Sequence, residues 1–392
     1  RNSELGCGEG YCMDNHRSSS LSSSDDTVRI SQLQSIGQTQ PPLVLEALAL
    51  LLLAFNPVVG WQGVGPKPRL DITAAHAISK CSTLRSAVLL KGIDGSATDE
   101  GDASSPVIVR SIANLSTGLA MEWLSCMPAK LPEEASPPVL LVHGTFHGAW
   151  CWEANWMKRF AAAGLESHAV SLRGTSGSPC DTKSVKITEH VADLRAFVDE
   201  VLGKPPILVG HSFGGASVLK YLEDGGAANG AILLCSVPPS GNGPMTLRFL
   251  LRSLQQTWLI TRGFAMKTAA TSIDDARKLF FDERTSDATL LSYLPKLEAD
   301  SRCGLNLRHF NSNLPSACTD AKTGLASWIR FALPMLVLGA ERDAVVDREG
   351  VEETAAFLGA EAEFFEGMPH DVMLCEGWEV PADRVIEFAQ AL

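Results

Sequence analysis

Pro206-Ile207-Leu208-Val209-Gly210-His211-Ser212-Phe213-Gly214-Gly215-Ala216 decides how the rest of the chain is read. The apolar run up to Val209 has the pattern of a strand buried on both faces. Gly-x-Ser-x-Gly follows without a spacer, and Ala216 to Leu222 carries the period of a helix. A strand, a sharp turn and a helix in direct succession force Ser212 into a strained backbone and hold its side chain out at the carboxyl end of a sheet. Gly210 and Gly214 are small enough to let strand and helix close up around that turn. By itself the five-residue pattern is equally that of a glycine-rich turn with no chemistry, so its surroundings have to carry the argument.

Those surroundings repeat the same alternation. Val107 to Ile112 and Leu119 to Leu124 flank Ser116-Thr117-Gly118 and read as a hairpin. Val139-Leu140-Leu141-Val142 reads as a strand, and so do Ser167 to Leu172, Gly230 to Cys235, Met335 to Gly339 and Ala362 to Phe365. Between them lie helical stretches at 156–163 and 187–202, and a closing helix runs through Val385, Ile386 and Phe388. Strands alternating with helices predict an α/β fold, a mostly parallel sheet covered on both faces. From Pro238 to about Leu333 the pattern turns helical, with Thr246 to Leu259 and Ile273 to Phe281 the clearest segments and no strand evident. An insertion there, just past the carboxyl end of a strand, is expected to form a helical cap over the site, at about 240–332.

Residues 1–105 read differently. Ser18 to Ser24 is low in complexity, and Leu43 to Phe55 is a 13-residue apolar run broken by Glu46, short of the ~20 residues of a spanning helix. Between Trp61 and Lys91 five basic residues face a single acid, Asp71, among Ser, Thr and Ala, the composition of an organelle transit segment or of a plain linker. The expectation is a cleavable plastid-directing region, a mature start between about 90 and 106, and a catalytic domain over 106–392. The apolar run argues for a secretory route or an extra buried helix instead.

The net charge of -12 and the absence of a dense Lys/Arg stripe argue against nucleic acid or an anionic membrane surface as the main partner. The ten cysteines show no C-x-x-C and no zinc-like spacing with histidine, and read as reduced, mostly structural thiols. No metal or cofactor is implied.

A serine nucleophile needs a base for its proton and a carboxylate to orient that base. Past the apolar strand at 335–339 lies Asp343, and past the next strand lies His370, giving the chain order serine, acid, histidine. Asp347 and Glu341 are the competing acids. Among the other histidines, His16 and His76 fall in the N-terminal region, His168 and His190 on core elements and His309 in the cap. His143, His147 and His211 lie near the site but at or before the elbow. For the developing oxyanion, the backbone N–H groups of Phe213 and Thr145 are the expected donors, with Phe146 the alternative to Thr145.

With these residues assembled, the chain from about 106 to 392 resembles an α/β-hydrolase fold enzyme. His143-Gly144-Thr145-Phe146-His147-Gly148-Ala149-Trp150-Cys151-Trp152 is similar to the opening motif of plant methylesterases and hydroxynitrile lyases. Ser-Val-Pro-Pro-Ser-Gly-Asn at 236–242, Leu-Gly-Ala-Glu-Arg-Asp at 338–343 and Pro-His-Asp-Val-Met-Leu at 369–374 resemble a plant and algal hydrolase group often assigned to plastids. The resemblance implies a triad of Ser212, Asp343 and His370 and hydrolysis of a small-molecule ester through an acyl-enzyme. One departure stands out: Arg173-Gly174-Thr175-Ser176-Gly177-Ser178 lacks the histidine that many relatives carry after Arg-Gly. Leu247, Phe249, Leu250, Leu251, Trp258, Phe264, Phe280 and Phe281 would line an apolar pocket for a lipid-like or prenyl ester, or pack the cap onto the sheet. A cofactor-free peroxidase or lyase, and a ligand receptor that keeps the triad, are the rival readings.

Overall fold

The computed structural model describes residues 106–130, 136–329 and 333–392. The expected targeting segment and the apolar run at 43–55 lie outside the described residues. Among those described, no helix is long and apolar enough to cross a membrane.

The described residues hold ten strands: β1 (Ile108–Asn114), β2 (Ala120–Cys126), β3 (Val139–Val142), β4 (Ser167–Val170), β5 (Ser184–Val185), β6 (Ile207–His211), β7 (Gly230–Leu234), β8 (Gly304–Leu305), β9 (Met335–Ala340) and β10 (Ala362–Phe365). Eight of them form one sheet in the order β1-β2-β4-β3-β6-β7-β9-β10. The β1/β2 hairpin is antiparallel, with Ile108 opposite Cys126, and β2 meets β4 antiparallel, while the six strands from β4 to β10 are parallel neighbours. Every residue of β3, β4, β6 and β7 is buried. That explains why β3, β6 and β7 are dominated by Val, Ile and Leu and do not alternate in polarity, while β4 buries Ser167 and His168 as well.

Chain direction across the sheet reverses between β3 and β6: the chain leaves β3 for β4 on one side and returns to β6 on the other. A crevice opens at the carboxyl ends of the strands at such a reversal, and the loops after β3 and β6 face each other there. Gly144, just past β3, makes the approach feasible, since a Cβ on it would stand 2.7 Å from the Ser212 Cβ.

Gly214 marks the other close approach. A Cβ there would overlap the carbonyl oxygens of Val142 and His143, so the helix Phe213–Glu223 packs against β3 at backbone distance. Gly214→Ala is expected to cost about 2–3 kcal/mol through overpacking, read as a fall in the urea midpoint. Gly243→Ala in the cap helix Asn242–Arg252, where nothing lies within 4 Å of the added methyl, should be neutral or up to ~1 kcal/mol stabilising.

Three local expectations change. The stretch 187–202 is an α-helix only to Phe197; its last turn, Val198–Leu202, opens to the π pattern and ends on Gly203, whose N–H reaches back to Val198 O at 2.9 Å. The single segment 246–259 is two helices, Asn242–Arg252 and Leu254–Ala265, because Ser253 is extended and its Oγ accepts the Gln256 N–H. The cap also holds a strand after all: β8 pairs in parallel with β5, which belongs to the body.

Candidate active site

Ser212 stands directly past β6 at φ 54° and ψ −122°, a backbone that L-residues adopt only under constraint. The constraint is visible. Its N–H donates to Leu234 O at 3.1 Å, and its carbonyl accepts from Gly215 at 3.0 Å and from Val237 at 3.1 Å. The strained turn is therefore held from the helix side and from β7. Among the described residues, the N–H of Phe213 and those of Thr145 and Phe146 have no protein acceptor.

His370 and Asp343, the base and acid expected from chain order, lie side by side. The His370 Nδ1 lies 2.7 Å from Asp343 Oδ2, both side chains almost fully buried, and Asp343 Oδ1 accepts the N–H groups of Val345 and Val346 at 2.7 and 2.8 Å. Burial alone would push the His370 pKa down; the Asp343 carboxylate outweighs it and the net direction is up from 6.5. The rival acids are occupied elsewhere. Asp347 takes a two-pronged bond from Arg248, at 2.7 Å from its Nε, a further contact from Arg252, and caps the helix Arg348–Leu358. Glu341 accepts the Gly367 N–H at 2.8 Å.

The three remaining nearby histidines hold the frame of the site. His143 Nδ1 donates to Gly144 O at 2.8 Å, and its Nε2 accepts the Leu172 N–H at 3.0 Å, a neutral pairing that burial enforces by driving its pKa to about 3. Thr175, in the loop whose missing histidine marked the departure from the resemblance, supports this ring: its Oγ1 donates to Leu172 O at 2.7 Å and sits 3.2 Å from His143 Nε2. His211 Nε2 donates to His370 O at 3.0 Å, and burial takes its pKa to about 3 as well.

His147 behaves in the opposite way. Its Nδ1 faces Thr145 O at 2.8 Å and its Nε2 faces Asp371 Oδ2 at 2.9 Å, so both ring nitrogens donate. Burial opposes that charge, but Asp371 overrides it, and the pKa moves up while that of Asp371 moves down. Together His143 and His147 grip two successive carbonyls, those of Gly144 and Thr145. A peptide's N–H points opposite its carbonyl, so the two imidazoles fix the directions of the Thr145 and Phe146 N–H groups. Asp371 is the residue the sequence reading passed over, and its signal was a charged residue immediately after His370 inside an otherwise apolar run.

His211, His370 and Cys235 bring one donor atom each within 4.8 Å of one another. His370 Nδ1 is committed to Asp343, and burial holds the Cys235 thiol well above its usual pKa, so these residues read as support for the Asp343–His370 pair.

Beside the loop after β3 lies a cavity of about 40 Å³ lined by Thr145, Phe146, Phe213, Arg173, Asp300 and Leu305 among others. Ser212 is 4% exposed and His370 2%, and two aromatic residues of the helical segment reach the site, Phe280 stacked 6.2 Å from the His370 ring and Phe264 5.4 Å from Phe146. Of the eight apolar cap residues, Leu247 and Leu251 turn to solvent and Phe281 stacks on Tyr293.

A sequence profile described as "Alpha/beta hydrolase family" matches residues 139–388. The chain belongs to that family. Its mostly parallel sheet is shared with solved alpha/beta hydrolases: the Vigna radiata epoxide hydrolase superposes with a TM-score of 0.55 at 18% identity, covering 75% of this chain and 100% of that one. A soluble variant of the monoglyceride lipase of Saccharomyces cerevisiae superposes at 0.53 with 15% identity, covering 75% and 98%. Among curated relatives, the candidate chloroplastic methylesterase 13 of Arabidopsis thaliana is 30% identical over 152 residues, 36% of this chain and 34% of that protein. Methyl jasmonate esterase 1 of Vitis vinifera is 33% identical over 85 residues, 21% of this chain and 33% of that protein. The chain thus spans about a third of the length of these relatives.

Proposed function

We propose that the chain is a serine hydrolase that cleaves a carboxylic ester through an acyl-enzyme on Ser212. The observation that carries this reading is the Asp343–His370 pair at 2.7 Å, placed at the same sheet edge as a serine held at φ 54°. In the proposed reaction, His370 takes the Ser212 proton through Nε2 as Oγ attacks the carbonyl carbon. The oxyanion then meets the Thr145 and Phe213 N–H groups. Protonation by His370 releases the alcohol, and a water activated by the same imidazole frees the acid. The esterase names of the relatives support the substrate class, and the chloroplastic name of one supports a plastid address.

The cavity of about 40 Å³ lies beside Thr145 and Phe213, and neither Ser212 nor His370 lines it. So small a space beside the proposed oxyanion donors favours short acyl or methyl esters over a long lipid-like chain. Incubation with a fluorophosphonate is expected to label Ser212 stoichiometrically, and across a series of nitrophenyl esters kcat/KM should fall as the acyl chain lengthens. Absence of both labelling and turnover would overturn the hydrolase reading.

A pH dependence follows from His370, which must be neutral to act as base. Its pKa lies above 6.5, so kcat/KM should be lost as pH falls through a limb centred above 6.5. For folding the sign is reversed: the stabilisation from protonated His370 on Asp343 is fully present below the unfolded value of 6.5 and is lost as pH rises through the higher folded value. Rate and urea-midpoint profiles over pH 5–9 check both.

A further inference from the structure

The ladder of β5 and β8 joins cap to body on one side of the cavity: Ser184 pairs with Gly304 and Val185 with Leu305, and the Asn306 N–H reaches Val185 O at 2.7 Å. A cysteine stands ahead of each of these strands, Cys180 on the body and Cys303 on the cap. Both are partly exposed, whereas Cys126, Cys151, Cys235 and Cys375 are buried. Their thiols converge on one residue. Cys180 Sγ is 3.3 Å from Thr182 Oγ1, and Cys303 Sγ donates to Thr182 O at 3.4 Å. Gly174, at φ +87°, shows how tightly the two side chains meet, since a Cβ added to it would stand 2.6 Å from both Cβ and Sγ of Cys303 and 3.3 Å from Cβ of Cys180. Two cysteines that bracket one methyl-sized point need little backbone movement to reach the Cβ separation of about 3.8 Å that a disulfide requires. Cys303 also lines the cavity with Thr145 and Phe213.

We propose that Cys180 and Cys303 are a reversible disulfide site that, when oxidised, fastens the cap to the body beside the candidate active site. The oxidant is an external disulfide of the glutathione type. Burial and the neighbouring Cys180 push the Cys303 thiol up to about 12, so little thiolate exists there, and Cys180 takes the first step. Its thiolate attacks one sulfur of the external disulfide, the S–S bond breaks, and one small thiol leaves. Cys303 then loses its proton and attacks the Cys180 sulfur of the mixed disulfide, and the second small thiol departs. The protein loses two protons and two electrons, and the oxidant gains them as two thiols. The closed bond ties together the wall segments that carry Val185 and Leu305, so the cap can no longer lift at this seam.

The test uses the full chain, treated with oxidised glutathione or kept in dithiothreitol, and reads two things that need no ester. Peptide mapping without reduction should recover the Cys180 and Cys303 peptides joined, with the link lost on adding dithiothreitol. Amide hydrogen exchange over 304–311 should slow at least several-fold on oxidation, and Cys303→Ser and Cys180→Ser should each abolish both effects. The proposal is overturned if glutathione or disulfides appear only at other cysteines, or if the link forms while exchange at 304–311 stays unchanged. Because neither readout involves hydrolysis, its failure is separate from a failure of the proposed ester chemistry.

Discussion

Ser212→Ala is expected to lower kcat/KM for any ester the protein turns over by 10³-fold or more while leaving the melting temperature within a few degrees. The size of the loss follows from the role. In the proposed reaction no acyl-enzyme forms without Oγ, and only binding and the proposed oxyanion donors Thr145 and Phe213 remain. The fold should not notice, because the backbone strain at φ 54° is borne by main-chain bonds to Leu234, Gly215 and Val237, and alanine keeps the Cβ that already fits beside Gly144. Ser212→Gly separates the two effects. It removes the same oxygen and relieves the left-handed strain as well, so it should be as inactive as the alanine variant and more stable, by about 1 kcal/mol or more. Residual turnover within ~10-fold of the parent in the alanine variant would take the nucleophile away from Ser212.

The sheet and the candidate triad were legible because their signals are local. β3, β6, β7 and β9 are largely apolar runs, and each is followed within three residues by Gly144, Ser212, Ser236 or Asp343. The strands β5 and β8 were not legible, since two residues have no period and their pairing joins positions about 120 apart. The break in the cap helices was written in the chain and missed: Ser253 with Gln256 three residues on is a helix-start signature inside a run of good helix formers. The His147–Asp371 pair belongs to another kind. Its members lie 224 residues apart, and only folding puts the loop after β3 against the segment that follows His370. Sequence periodicity carries burial, and such a buried ion pair has no period. What the chain did offer was the repeated His-Gly at 143–144 and 147–148, whose two imidazoles turn out to hold two consecutive carbonyls of the loop.

The choice between Asp343 and Asp347, left to chain position by the sequence, now has a physical basis and a large expected contrast. Asp343→Asn keeps the shape of the side chain but replaces the oxygen facing His370 Nδ1 by an amide that can also donate, so the imidazole loses its anionic partner and its fixed tautomer. A fall in kcat of about 10⁴ is expected, with KM little changed and the pH limb displaced downward, because the carboxylate that raised the His370 pKa is gone. Asp347→Asn disturbs a different bond set. Its carboxylate is buried under Arg248 and Arg252 from the cap and caps the helix Arg348–Leu358, so its loss should weaken the seating of the cap and cost about 1–3 kcal/mol of stability. Turnover should stay within ~10-fold of the parent. Steady-state kinetics and urea midpoints on the two variants therefore separate as a cross: one loses rate and keeps stability, the other loses stability and keeps rate. If Asp347→Asn instead removed the rate and Asp343→Asn did not, His370 would have to turn away from a 2.7 Å partner to reach an acid already shared by two arginines, and the assignment of the triad acid would pass to Asp347.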